Sequence, residues 1–235
     1  MRQAVERNQR KDAATATPAY TYRKVTVTEE FDSTGKVRQR KERLYQVSFK
    51  DGLTSARLLQ VNGHPPDAAD LKLQAQYETD TRLLAGHAKS ACGDRRERLL
   101  TPELTAHYSF TTRGLSPING RPAYEISFEP KSPPLPPRHV LDRLLNRISG
   151  TLWIDAEEFE IARADLRLSS EVDLLGGVLG CLRKLAYTLT RTRVAEGVWL
   201  NTDSSGDFEG RKLLESLRIK TRSQSLNFRQ LGLPS

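Results

Sequence analysis

The sequence predicts a mostly-β protein built on an antiparallel sheet with one apolar face. Three observations carry that expectation. The run Tyr124-Glu125-Ile126-Ser127-Phe128-Glu129 alternates, with Tyr124, Ile126 and Phe128 on one side and Ala123, Glu125, Ser127 and Glu129 on the other. Period two is the pattern of a strand with one face in an apolar core and one in water. Asn119-Gly120 stands just before it, and both residues tolerate the positive φ of a tight hairpin. No βαβ alternation runs along the chain, which argues against a parallel sheet.

The elements follow in order. Residues 2–15 read as a short, mostly polar helix that Thr17-Pro18 ends. Tyr20 to Glu30 is a long strand rich in Tyr, Thr and Val, and Asp32-Ser33-Thr34-Gly35 is a turn. The partner strand, Lys36 to Lys50, alternates in its second half, with Tyr45, Val47 and Phe49 sharing a face. Asp51-Gly52 turns into a third strand, Leu53 to Val61, and Asn62-Gly63 closes the meander. Asp67 caps a weakly amphipathic helix running to about Ala88. Residues 89–100 are basic and loop-like, and Thr101-Pro102 starts a second helix.

Tyr108 and Phe110 share a strand face, and the chain returns through Tyr124 to Phe128. Ser132 to Pro137 is an irregular, polyproline-like connector. A helix over 138–148 carries the stripe Val140, Leu141, Leu144, Leu145 and Ile148. Strands resume at 150–155, 158–169, 183–194, 197–204 and 208–221, with Glu196-Gly197 and Ser204-Ser205-Gly206 as hairpin signals. That makes about ten strands and three or four helices.

Composition narrows the function classes. The chain has 235 residues, 37% hydrophobic, with a formal charge of +8. No run reaches the ~18 apolar residues of a membrane-spanning helix. The positive balance favours anionic partners. Its densest stretch, Lys36 to Arg43, lacks interleaved aromatics and reads as a solvated hairpin tip, so no nucleic acid is expected. Met1 to Asp12 is charged, without the apolar core of a signal peptide. Taken literally, that start places the chain in the cytoplasm.

Catalytic and metal signatures fail in turn. His64, His87, His107 and His139 are isolated, so no metal is expected. No GxSxG is present, and neither Cys92 nor Cys181 has an activating neighbour in sequence. The two cysteines stand as separate thiols or, in an oxidising compartment, as a pair. Gly176-Gly177-Val178-Leu179-Gly180 lacks the Lys-Ser/Thr of a phosphate loop. It reads as an apolar loop, buried on the core or facing lipid. Asp155, Glu157, Glu158 and Glu160 read as an ordinary acidic turn. The chain is expected to be no enzyme and to need no cofactor.

Several ordered motifs resemble a known family. Tyr20-Thr21-Tyr22 on the first strand, Gly35, Asn62-Gly63, and Asn119-Gly120 through Tyr124-Glu125-Ile126-Ser127-Phe128-Glu129-Pro130 are followed by Gly150-Thr151-Leu152-Trp153-Ile154-Asp155, Ile161-Ala162-Arg163 and Glu196-Gly197-Val198-Trp199-Leu200. Together, over roughly 15–225, they resemble the bacterial outer-membrane lipoprotein-sorting superfamily of LolA, LolB and RseB. The resemblance implies a curved, unclosed antiparallel half-barrel with helices covering its concave apolar face. It also implies acyl chains, lipids or lipoproteins as ligands and a periplasmic location, with a membrane-bound partner possible. The chain lacks a lipobox cysteine near its start, and no residue matches the carrier's polar latch.

The expected organisation is a lead-in at 1–18, one half-barrel domain at 19–229 and a tail at 230–235. The expected activity is non-enzymatic carriage of an acyl chain, with a regulatory protein-binding domain of the same fold, or an enzyme of unknown type, as alternatives. Cavity candidates from the alternation are Tyr45, Val47, Phe49, Tyr124, Ile126, Phe128, Leu152 and Ile154. Leu141 and Leu145 are the lid candidates, beside the 67–88 helix. A monomer is favoured.

Overall fold

The structure, a computed structural model, describes residues 1–10, 19–50, 53–76, 100, 102–137, 140–173, 180–212 and 215–232. Its elements are α1 (Arg2–Arg10), β1 (Tyr20–Phe31), β2 (Val37–Lys50), β3 (Leu53–Val61), α2 (described over 68–76), α3 (Pro102–Ala106), β4 (Tyr108–Ile118), β5 (Arg121–Pro130), α4 (Val140–Leu145), β6 (Ile148–Asp155), β7 (Ile161–Leu168), β8 (Val172–Asp173), β9 (Cys181–Ala195), β10 (Val198–Lys212) and β11 (Glu215–Gln230). The sheet is antiparallel, with strand order β3-β2-β1-β11-β10-β9-β7-β6-β5-β4 and β8 beside β9. It is not closed. Strand makes up 66% of the structure and helix 12%, so the expected unclosed, mostly-β architecture is the observed one.

Two compact units divide the chain. The larger comprises Met1–Ala14, Thr28–Arg40 and Leu99–Ser223, and the smaller Thr15–Val27, Lys41–Arg98 and Gln224–Ser235. In the larger unit, Asp32 Oδ1 accepts from the Thr34 and Lys36 amides and the Thr34 hydroxyl, which folds the β1–β2 turn without a partner elsewhere. Arg38 pairs with Glu30 at 3.0 Å and Arg40 with Glu29 at 3.9 Å, so β1 answers part of the basic run with acids. In the smaller unit, Asn62 (φ 51°) takes the left-handed conformation, and its Oδ1 accepts the Glu42 amide. Asp67 Oδ1 accepts the Asp70 amide at 2.7 Å, the N-cap expected there.

Three expectations about elements need correction. The helix over 138–148 shortens to Val140–Leu145 among the described residues, because Ile148 joins the sheet opposite Leu168. The strand expected from residue 158 begins at Ile161, since Phe159 takes a positive φ of 56° in the preceding turn. Ser204-Ser205-Gly206 is no hairpin: β10 runs through it, opposite Leu189, Thr188 and Tyr187. A Cβ at Gly206 would meet the Phe208 ring and the Thr221 methyl, so this glycine makes room for a side chain instead of turning the backbone. The Asp51-Gly52 turn, the far end of the 67–88 helix, the basic loop before Leu100, the Thr101 cap, and most of the glycine-rich stretch lie outside the described residues.

Candidate apolar binding cleft

The buried face of the larger unit is set by register. On β5 and β6, Tyr124 stands opposite Ile154, Ile126 opposite Leu152, and Phe128 opposite Gly150. Phe110 on β4 stands opposite Phe128, and Leu115 opposite Tyr124. Ile161 and Ala164 on β7 extend the face, and Leu189 on β9 follows Ala164. Five of the eight cavity candidates therefore share one face.

The middle of that face is filled by the protein's own side chains. Ile126, Phe128, Leu152 and Ile154 form one core cluster with Tyr108, Ile148, Leu189 and Ala4 of α1, and Ile154 is only 1% exposed. Phe128 reaches its place because Gly150 has no side chain: a Cβ there would strike the Asp165 carbonyl and the Phe128 ring. Tyr108 packs edge-on to Phe128 with ring centroids 5.0 Å apart. Its hydroxyl donates to the Leu145 carbonyl at 3.0 Å, and burial pushes its pKa up to about 12. That bond ties α4 to the cluster through backbone. Leu144 packs on the cluster and Leu145 is half-buried. The Leu141 side chain lies outside the described residues.

The end of the face differs. Tyr124 is 37% exposed and Leu115 64% exposed, although Tyr124 faces the same way as Ile154. Alternation assigned the face correctly, but β4 is the last strand of the order and nothing described covers this corner.

An open space lies between α1 and α3. It is a cleft of about 380 Å³, with apolar walls from Met1, Val5, Pro102, Ala106 and Phe110. Thr105, Arg2 and Glu6 add polar groups, and Arg2 Nε donates to Glu6 Oε1 at 3.0 Å. Phe110 links the cleft to the filled core, since its ring lies 6.3 Å from both Tyr108 and Phe128. The volume is that of a small ligand, but the cleft is shallow and wide-mouthed, so a ligand here lays one side on apolar wall and keeps the other toward solvent. The sequence placed Phe110 on a strand face and Pro102 at a helix start but assigned none of these residues to a site. Met1, Ala4 and Val5 recur at helical spacing, a signal that was available but faint in a helix otherwise polar.

In the smaller unit, Tyr45, Val47 and Phe49 share a face of β2 opposite Leu58, Ala56 and Thr54. Val47 is buried, and Tyr45 and Phe49 are half-buried. The Thr21 hydroxyl donates to the Val47 carbonyl at 3.1 Å, and Gln46 Nε2 donates to Thr21 Oγ1. The eight candidates thus fall into two sets, three in this unit and five in the larger one.

The acidic turn after β6 is a clamp. Asp155, 1% exposed, accepts from Arg121 Nε at 2.7 Å and from the Glu157 and Glu158 amides. Burial alone would raise its pKa, but Arg121 and the two amides outweigh burial and hold it below the usual carboxylate range. Glu158 accepts from the Trp199 indole at 2.7 Å and Arg193 at 2.6 Å. There too burial is outweighed, by Trp199, Arg193 and the Gly197 amide, and the carboxyl stays ionised. Carboxylates held this way join strands and are poor proton donors at neutral pH.

No family model matches the sequence, and no curated protein matches it. Solved structures do. A DUF1329 family protein from Desulfovibrio piger is 12% identical with a TM-score of 0.37, covering 99% of this chain and 94% of its own. A LolA superfamily protein from Nitrosomonas europaea is 11% identical at a TM-score of 0.38, with the same coverage. MucB of Pseudomonas aeruginosa, in a complex with MucA, is 11% identical at 0.27, covering 98% of this chain and 99% of its own. The class defined here is an unclosed antiparallel sheet with helices. The likeness of these structures to the chain is one of fold.

Proposed function

We propose that this chain is a non-enzymatic binding protein of the bacterial cell envelope that shields an acyl chain of a lipid or lipoprotein from water. The observation that supports this most is the open apolar cleft between α1 and α3, floored by Phe110 and backed by the Tyr108–Phe128 core. Burial is the mechanism. Each methylene shielded contributes about 0.8 kcal/mol, so roughly eight methylenes gain about 6 kcal/mol before ordering costs. In this reading the ligand lies beside the filled face, with Ile126, Phe128, Leu152 and Ile154 as the packed backing of the cleft. The test is mass spectrometry of lipid extracted from the natively purified chain. Acyl species at near-stoichiometric amounts support the reading, and their absence from several preparations, including after incubation with phospholipid vesicles, overturns it.

A second reading, a regulatory domain that binds a protein, is favoured by the uncovered corner at Leu115 and Tyr124. It predicts a partner interaction lost on Leu115→Asp with acyl binding absent.

A further inference from the structure

A cluster of unlike donors lies away from the cleft, where β8 meets β9. Asp173 stands opposite Cys181 in the ladder, and Glu171 precedes β8 by one residue. One oxygen from each carboxylate and the Cys181 sulfur all lie within 4.8 Å of one another. Cys181 is 4% exposed, and its sulfur points into this group. Its one hydrogen bond among the described residues goes to Glu171 Oε1, at 2.6 Å. The other Glu171 oxygen lies 3.6 Å from Arg183 Nε. Arg183 thus orients the carboxylate so that its free oxygen meets the thiol. A buried sulfur and two exposed carboxylates converge beside that ion pair, a mixed donor set that a cation would bridge.

We propose that Glu171, Asp173 and Cys181 bind one divalent cation of the zinc type, with a fourth position open to water. The donor set selects the class. Magnesium and calcium take oxygen ligands, whereas a thiolate with carboxylates suits zinc, cobalt and cadmium. On binding, the thiol proton leaves to solvent and the sulfur ligates as thiolate, with no change of oxidation state. The ion pins β8 to β9 as a structural staple, and it takes no part in the acyl-binding proposal.

The test uses the untagged full-length chain, stripped with chelator and titrated with Cd²⁺ while the ultraviolet sulfur-to-cadmium charge-transfer band is followed. The expected result is a band saturating at one equivalent, with a raised unfolding temperature in Cd²⁺ or Zn²⁺. Cys181→Ser abolishes the band, and the Glu171→Gln/Asp173→Asn double variant, which keeps the thiol, weakens binding roughly tenfold or more. A band that persists in Cys181→Ser assigns the metal to Cys92 and overturns the proposal. So does wild-type affinity in the double variant, or no saturable band in the parent chain. If Cys181→Ser fails to fold, the double variant decides.

Discussion

Two stretches of one sheet face behave oppositely. Around Ile126, Phe128, Leu152 and Ile154 the protein fills its own apolar face, with Ala4 of α1 completing the cluster. Beside it, from Phe110 to the inner sides of α1 and α3, the same kind of surface lines an open cleft. The strands do not account for the difference; the covering elements do. α1 presents Met1, Ala4 and Val5, and only Ala4 is buried. α3 is a helix of five residues. Among the described residues, two short, thinly apolar helices cover the face without filling it. Period-two alternation therefore identifies an apolar face but not whether that face is closed.

Substitutions that attack the filled stretch should have the largest effects. Gly150→Val places a branched side chain against the Asp165 carbonyl and the Phe128 ring. It is expected to cost about 4 kcal/mol or more and to abolish cooperative unfolding in a urea titration. Ile154→Ala removes a side chain that is 1% exposed and should cost about 4 kcal/mol in the same measurement. Phe110→Ala, at the cleft, should cost less than half of that while weakening ligand binding. Equal stability losses at Ile154 and Phe110 would erase the contrast between the two stretches.

The clamp comes next. Asp155→Ala removes the buried acceptor of the Glu157 and Glu158 amides and of Arg121, which keeps Glu157, and should cost about 2 kcal/mol. The pH dependence has a definite sign. The Asp155 and Glu158 carboxyls titrate lower in the folded chain than in the unfolded one. Their contribution is present above the unfolded pKa values, near 4, and is lost as pH falls through the folded ones. Stability should therefore hold from about pH 7 to about pH 5 and decline below about pH 4. Asp155→Asn should flatten that decline in acid titrations followed by circular dichroism. The smallest effect belongs to the uncovered corner, where Leu115→Ser should change stability by less than about 0.5 kcal/mol.

Much of the sheet was legible because its turns carry their own chemistry. Asp32, Asn62-Gly63 and Asn119-Gly120 mark their hairpins locally, and β3 begins and ends where the sequence places it. Legibility failed where a residue serves a distant neighbour. Gly206 mimics a turn but accommodates Phe208, and Ile148 continues a helical stripe but pairs with Leu168. The filled face was readable as a face, through Ile126, Phe128, Leu152 and Ile154. The cleft was not, because Met1, Val5, Pro102 and Ala106 come together only when α1 and α3 pack near β4. Tyr124 shows the same limit: its alternation matches Ile126, but its burial depends on what lies over β4.

The most direct test of the contrast is displacement of an environment-sensitive acyl dye by fatty acid, measured on the parent chain and on Phe110→Asp at matched folded fraction. The account predicts saturable displacement in the parent chain and at least a roughly tenfold loss of affinity in Phe110→Asp, equivalent to about 1.4 kcal/mol. Absence of saturable binding in the parent chain, or equal affinity in the variant, would contradict it.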